Sequence, residues 1–312
     1  MPLFPRLTRF RWLALTGLLC TGVVLANYLH LDDRAWYWLK ERNLPVAERD
    51  ASIWLPTYHA VIQAKPLAGL ENDEASDLAY NRVTGTLFTV TGKVPMLVEI
   101  TRAGEVLRRI PLLGFANPEG VAILDNGDVA VVDERRRTLS VLTLDPQTRE
   151  LNVADATEYD LGFADGGNKG FEGIAWDPQQ KRMLLGKERD PTAIFSLPGD
   201  DPTALSQALQ PLPGYGLGMR NLSALSVDPR TGHLLALSAQ SNLLLELDKQ
   251  GQPVSFISLM GGLNGLHNRI PRAEGVAMDE QGTLYMVSEP NLFYVFRKEA
   301  PGSAPLTLSE LN

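Results

Sequence analysis

Apolar and polar positions along this chain fall into a layout that recurs. Gly120 to Asp133 reads GVAILDNGDVAVVD, Gly173 to Lys187 reads GIAWDPQQKRMLLGK, and Gly275 to Ser288 reads GVAMDEQGTLYMVS. Each is an apolar run, a turn rich in Asp, Asn, Gln or Gly, and a second apolar run, the pattern of a β-hairpin. Two further segments share the frame: DLAYNRVTGTLFTVTG after Ser76, and ALSVDPRTGHLLALSAQS after Ser223. The five units start at 76, 119, 172, 223 and 274, spaced 43 to 53 residues apart. That is the period of four-stranded propeller blades.

Further strands are predicted after several hairpins: Met96–Ile100 and Val106–Ile110, Leu139–Leu144, then Leu243–Leu247 and Val254–Leu259. The last unit ends soon after Leu292–Phe296, followed by a short Pro/Ser-containing tail, so it lacks an outer strand. Tyr58–Leu67 is predicted to supply that strand and close the ring, which removes exposed sheet edges. The expected fold is therefore an all-β propeller of five blades. Six is the alternative, since Asp145–Asn168 or Gly199–Asn221 leaves room for more strands.

The first 45 residues are of another kind. Arg6, Arg9 and Arg11 precede an uncharged run from Trp12 to Leu29. A run of this length is near the lower limit for a membrane-spanning helix, and positive flanks stay in the cytoplasm. The expected layout is a basic cytoplasmic tail (1–11), a transmembrane signal anchor (12–29), a stalk (30–52) and the propeller (53–312). This places the C-terminal domain in the periplasm, held at the cell inner membrane. A signal peptide cleaved near Val24-Leu25-Ala26 is the alternative. Trp36, Tyr37 and Trp38 suit either a membrane interface or a stalk packed on the propeller. Cys20 is the one cysteine, so no internal disulfide can form. Composition, 44% hydrophobic and 21% charged, fits a sizeable core. A net charge of −8, with no basic stripe, argues against nucleic acid as a partner.

Three of the five hairpins are flanked at both ends by glutamate: Glu119 and Glu134, Glu172 and Glu188, Glu274 and Glu289, 15 or 16 positions apart. A hairpin returns to its starting end, so up to six carboxylates gather on one face. Glu119, Glu172 and Glu274 precede the innermost strands and point toward the axis. Such carboxylates persist if protonated, paired or bound to a cation. Oxygen donors without nearby cysteine favour Ca²⁺ or Mg²⁺, and a wide flexible ring favours Ca²⁺. The competing reading makes these glutamates structural clips that accept backbone N–H bonds. Glu134, Glu188 and Glu289 are expected in an outer ring, with Asp77, Asp133, Asn117 and Ser223 filling gaps. Lys187 and Arg269 are candidate ligand-binding cations, and Arg135–Arg137 and Arg272 also approach this face. His267 is the catalytic candidate, expected near the acidic mouth. No nucleophile elbow, phosphate loop, zinc signature or redox motif is present.

GFEGIAWD at 170–177, Leu266-His267-Asn268 through AEGVAMD at 273–279, and YMVSEPNLFYVF at 285–296 resemble the SdiA-regulated family of bacterial membrane-associated proteins. The resemblance runs from about Tyr58 to Arg297 and implies a β-propeller tethered by an N-terminal segment. LSAQS at 237–241 departs from it where the family tends to carry another acidic residue. Three functions stay open: a propeller binding a divalent cation with a small anionic ligand or an envelope protein, a metal-dependent hydrolase of a lactone, ester or phosphoester, and a metal-free envelope scaffold.

Overall fold

The computed structural model describes residues 4–28, 31–162, 170–199, 209–213 and 217–298. The side chains of Arg6 and Arg9, and the tail beyond Lys298, lie outside that description.

Five antiparallel four-stranded sheets form a ring. Blade 1 runs outward through Ala75–Asn81, Thr86–Thr91, Met96–Ile100 and Val106–Leu113, and blade 2 through Pro118–Ile123, Val129–Asp133, Thr138–Leu142 and Thr157–Asp160. Blade 3 is Phe171–Asp177, Arg182–Lys187, Ala193–Pro198 and Gln210–Pro211; blade 4 is Ala224–Val227, Leu234–Ser238, Leu243–Leu247 and Pro253–Ser258. Blade 5 takes Ala273–Met278, Leu284–Ser288 and Leu292–Lys298, and its outermost strand is Tyr58–Pro66, paired antiparallel from Tyr58↔Lys298 to Pro66↔Leu292. The closure expected from the sequence is thus present, and the ring has five blades. The inserts that left room for a sixth supply the outer strands of blades 2 and 3 and a two-residue strand, Leu151–Asn152, parallel to the edge of blade 1.

Local chemistry fixes the hairpins. Asn81, Asp177, Asp228 and Asp279 each close the first turn of their blade by accepting backbone N–H bonds two residues on, at 2.9 to 3.2 Å. Alternating side chains then meet between blades. Phe88, Val90, Val121, Val129 and Val131 fill the space between blades 1 and 2, and Leu235, Leu244, Val276 and Met286 that between blades 4 and 5. The inner strands contact one another in sequence, and the last contacts the first.

Three helices precede the ring: α1 (Phe4–Tyr28), α2 (Leu31–Arg42) and α3 (Val46–Asp50). Among the described residues no helix is long and apolar enough to cross a membrane.

Candidate functional site

The Glu-Gly pairs have a physical cause. In blades 2, 3 and 5 the pairing of the two inner strands skips one residue: Glu119 between Pro118 and Gly120, Glu172 between Phe171 and Gly173, Glu274 between Ala273 and Gly275. A bulge leaves that residue unpaired and re-aims its side chain, here at the channel mouth. The glycine after it lets the next blade come close. A Cβ on Gly173 would lie 2.7 Å from the Ala224 backbone, and one on Gly275 2.5 Å from that of Asp77. Only glycine fits between inner strands packed this tightly.

The five equivalent positions around the axis are Ser76, Glu119, Glu172, Ser223 and Glu274. Ser76 and Asn117 donate to Glu119, the latter at 2.7 Å, and Ser223 donates to Glu274. Among the described residues no Lys or Arg makes an ion pair with Glu119, Glu172 or Glu274. Burial, reinforced by neighbouring carboxylates, pushes the Glu119 and Glu274 carboxyls up to about 7 and that of Glu172 up to about 10. The charges of Glu188, Glu274, Glu119 and Glu134 all bear on Glu172. Glu119, Glu172 and Glu274 thus act on one another as mutually repelling neighbours.

The backbone-clip role falls to other residues. Asp77, fully buried with left-handed backbone (φ 47°), accepts N–H bonds from Leu78 at 2.8 Å, Val121 at 3.0 Å and Ile174 at 3.4 Å, tying the inner strands of three blades together. Burial drives its carboxyl well above the usual range. Asp133, also buried, accepts from the backbones of Ala116, Asn117 and Arg136. Neither fills a gap in the acidic ring.

The outer carboxylates differ from the inner ones. Glu134 accepts from Asn117 Nδ2 at 3.2 Å and from the Gly170 N–H of blade 3 at 3.2 Å, which makes it an inter-blade clip. Glu188 is buried and ion-paired with Arg189. Glu289 is held by both terminal nitrogens of Arg272. Blades 1 and 4 carry Gly92 and Ala239 at the corresponding positions.

Several basic candidates go elsewhere. Lys187 turns aside, its ammonium donating to the carbonyls of Arg189 at 2.5 Å and Asp190 at 2.9 Å. Arg136 pairs with Glu158 at 3.0 Å rather than with Glu134. Arg269 is exposed, and Arg272 is the basic residue whose charge reaches Glu274. His267 lies at the perimeter, where its backbone N–H donates to Gln63 on the outermost strand of blade 5 at 2.8 Å. The expected place beside the acidic mouth is not where the loop puts it, because Gln63 also binds the Gly265 carbonyl and holds the loop outward. The residue that sequence reasoning missed is Arg189; its adjacency to Glu188 was the available signal.

At the opposite end of the channel is a cavity of about 90 Å³ lined by residues including Tyr80, Arg82, Ile123, Asp125, Trp176 and Met278. Within it Asp125 pairs with Arg82 at 2.5 Å and, from outside the lining, with Lys181 at 2.8 Å.

Among solved structures the chain is similar to one in the nidogen/laminin complex (16% identity, 74% of this chain and 85% of that one, TM-score 0.48). It is also similar to a gluconolactonase from Xanthomonas campestris (13%, 76% and 96%, 0.46) and to virginiamycin B lyase from Staphylococcus aureus (12%, 78% and 75%, 0.43). Likeness at this level carries nothing about ligand or reaction. Residues 50–297 match the family described as SdiA-regulated, and the chain belongs to that family.

Proposed function

We propose that this propeller is a recognition module whose acidic mouth takes a hard divalent cation, calcium by its oxygen-only donors, together with a small anionic ligand or a protein partner. The first ring carries the reading: three half-buried carboxyls at equivalent bulges, raised by burial and by one another, with no described Lys or Arg paired to them. Among the described residues no three His, Cys, Asp or Glu side chains form a group able to hold a metal ion. A cation here therefore takes one or two glutamates and completes its shell from Ser76, Asn117 or Ser223, from water and from the ligand. Arg189 and Arg272, each partly exposed, stand at the rim where an anionic group on that ligand would meet them.

The test is the thermal melting of the full chain after chelation and again with Ca²⁺, Mg²⁺ or Mn²⁺. A cation that binds the folded state alone raises the midpoint by mass action. A rise with Ca²⁺ that Glu172→Gln abolishes supports the reading; no shift with any of the three overturns it.

The same proposal holds the propeller to a membrane through α1, on the periplasmic side of the inner membrane. Described side chains from Trp12 to Leu25 are exposed and uncharged, and large apolar surface left uncovered by protein calls for another apolar phase. Extraction of membranes with alkaline carbonate should leave the chain in the pellet, and its release would refute the tether.

A further inference from the structure

The stalk after α1 is built with two unlike faces. From α2, Tyr37 turns inward and is buried at 2% exposure, packed with Met219, Leu222 and Ile194 and tilted against Phe256 of the blade 4 outer strand at 6.2 Å between ring centres. Farther along, the Glu246 carboxylate of blade 4 accepts the backbone N–H groups of Ile53 at 2.8 Å and Trp54 at 3.1 Å, and Ser255 Oγ accepts that of Leu55 at 3.0 Å. The stalk is therefore fixed to the propeller at both ends.

The other face holds Trp36, Trp38 and Leu39, exposed by 54%, 51% and 51%. A cation lies over each indole: Lys40 Nζ 5.0 Å from the centre of the Trp36 ring and Arg42 Cζ 4.6 Å from that of Trp38. Trp rings with adjacent cations match a bilayer's headgroup layer, where the ring sits among the upper acyl chains and the cation meets lipid phosphate. On a chain of net charge −8, these cations are what would let this face approach an anionic surface.

We propose that this face of α2 lies in the headgroup layer of an anionic bilayer and sets the orientation of the propeller. The inference rests on the reading of α1 as the tether, since α2 begins three positions after α1 ends. The partner strand on blade 4 is the outermost one, so the bilayer meets the rim of the ring. Both channel ends then stay clear of lipid, and the acidic mouth remains open to a dissolved ligand.

The native cysteine makes the test possible with the full chain. One sample carries a nitrobenzoxadiazole label on Cys20; others carry it on Trp38→Cys, Leu39→Cys or Val83→Cys in a Cys20→Ser background, all at exposed positions. Each is reconstituted in phosphatidylethanolamine/phosphatidylglycerol vesicles with acyl chains brominated near the headgroup or near the bilayer centre. The expected result is quenching at 38 and 39 chiefly by shallow bromines and at Cys20 by deep ones, with Val83→Cys unquenched. Lys40→Glu with Arg42→Glu should cut the quenching at 38 severalfold while leaving Cys20 unchanged. Quenching at Cys20 without quenching at 38 or 39 overturns the α2 surface and leaves the tether standing. Quenching at 38 and 39 without Cys20 keeps the surface and removes the tether; no quenching at any site removes both. Equal quenching at Val83→Cys overturns the proposal as non-specific adsorption.

Discussion

The two ends of the channel use carboxylates in opposite ways. At the end formed by the first turn of each blade, four aspartates have partners: Asp125 has Arg82 and Lys181, Asp177 has Arg182 at 3.2 Å, Asp228 has Arg230 at 2.9 Å, and Asp279 accepts from the Tyr285 hydroxyl at 2.8 Å. Burial works against the charge of Asp125, yet its hydrogen bond with Lys181 and the charges of Lys181 and Arg82 hold it below its ordinary value. At the other end Glu119, Glu172 and Glu274 neighbour one another, among the described residues no Lys or Arg forms an ion pair with them, and all three are raised. At Asp125 the partners outweigh burial, whereas at the three ring glutamates burial prevails. Shifted carboxyls without an ion-pair partner, gathered in an opening, mark a candidate functional site.

The largest effect should come from disturbing the strand approach that builds the second arrangement. In Gly173→Ala the new methyl meets backbone atoms of Ala224, which cannot rotate away. Overpacking of this kind costs about 1–3 kcal/mol, and the denaturant midpoint should fall accordingly. An unchanged midpoint would mean that the glycine after each ring glutamate is incidental.

Next in size is the pH response of the ring. The folded-state values of Glu119, Glu172 and Glu274 lie above the ordinary value, so folding favours their protonated forms. Their contribution is fully present below about pH 4 to 5 and is lost as pH rises through about 7 for Glu119 and Glu274 and toward about 10 for Glu172. In metal-free buffer the melting temperature should therefore decline between pH 5 and 9. Glu172→Gln should flatten that decline and stabilise the chain at pH 9 by on the order of 1 kcal/mol. The comparable change at the far end, Asp177→Asn, should lower stability at neutral pH instead. A wild-type curve that rises with pH would mean that the ring carboxyls are stabilised as anions.

Legibility in the sequence followed the range of the interactions. The hairpins, their spacing and the closing strand Tyr58–Pro66 were readable because apolar alternation and Asx turns are local signals. The gathering of Glu119, Glu172 and Glu274 followed from the repeat. Where each charge goes was not readable. Lys187 is turned by carbonyls two and three residues on, Arg189 takes Glu188, and Gln63 on a strand from the far end of the domain holds the His267 loop at the perimeter. The two-residue outer strand of blade 3 carries no pattern of its own.

A smaller effect separates the inner ring from the outer one. Arg272 is 67% exposed, holds Glu289 and also offsets the charge near Glu274. Arg272→Ala should leave stability nearly unchanged but strengthen Ca²⁺ binding at the mouth by less than about tenfold, in keeping with a solvated charge. Isothermal titration of the variant against wild type measures this directly. Weaker Ca²⁺ binding would instead assign Arg272 to orienting the acidic site.

The smallest effect should come from the matched end, and its smallness is what gives it value. Arg82 is 45% exposed and shares Asp125 with Lys181, so Arg82→Ala leaves the carboxylate with one partner. Exposed pairs contribute about 1 kcal/mol or less, and the melting temperature should drop slightly and equally at pH 5 and pH 9. Because Arg82 lies at the opposite end from the glutamate ring, neither the Ca²⁺ shift nor the alkaline decline should change. If Arg82→Ala altered either one, the two ends would be electrostatically coupled through the channel, and the distinction between matched and unmatched carboxylates would not separate structure from function in this propeller.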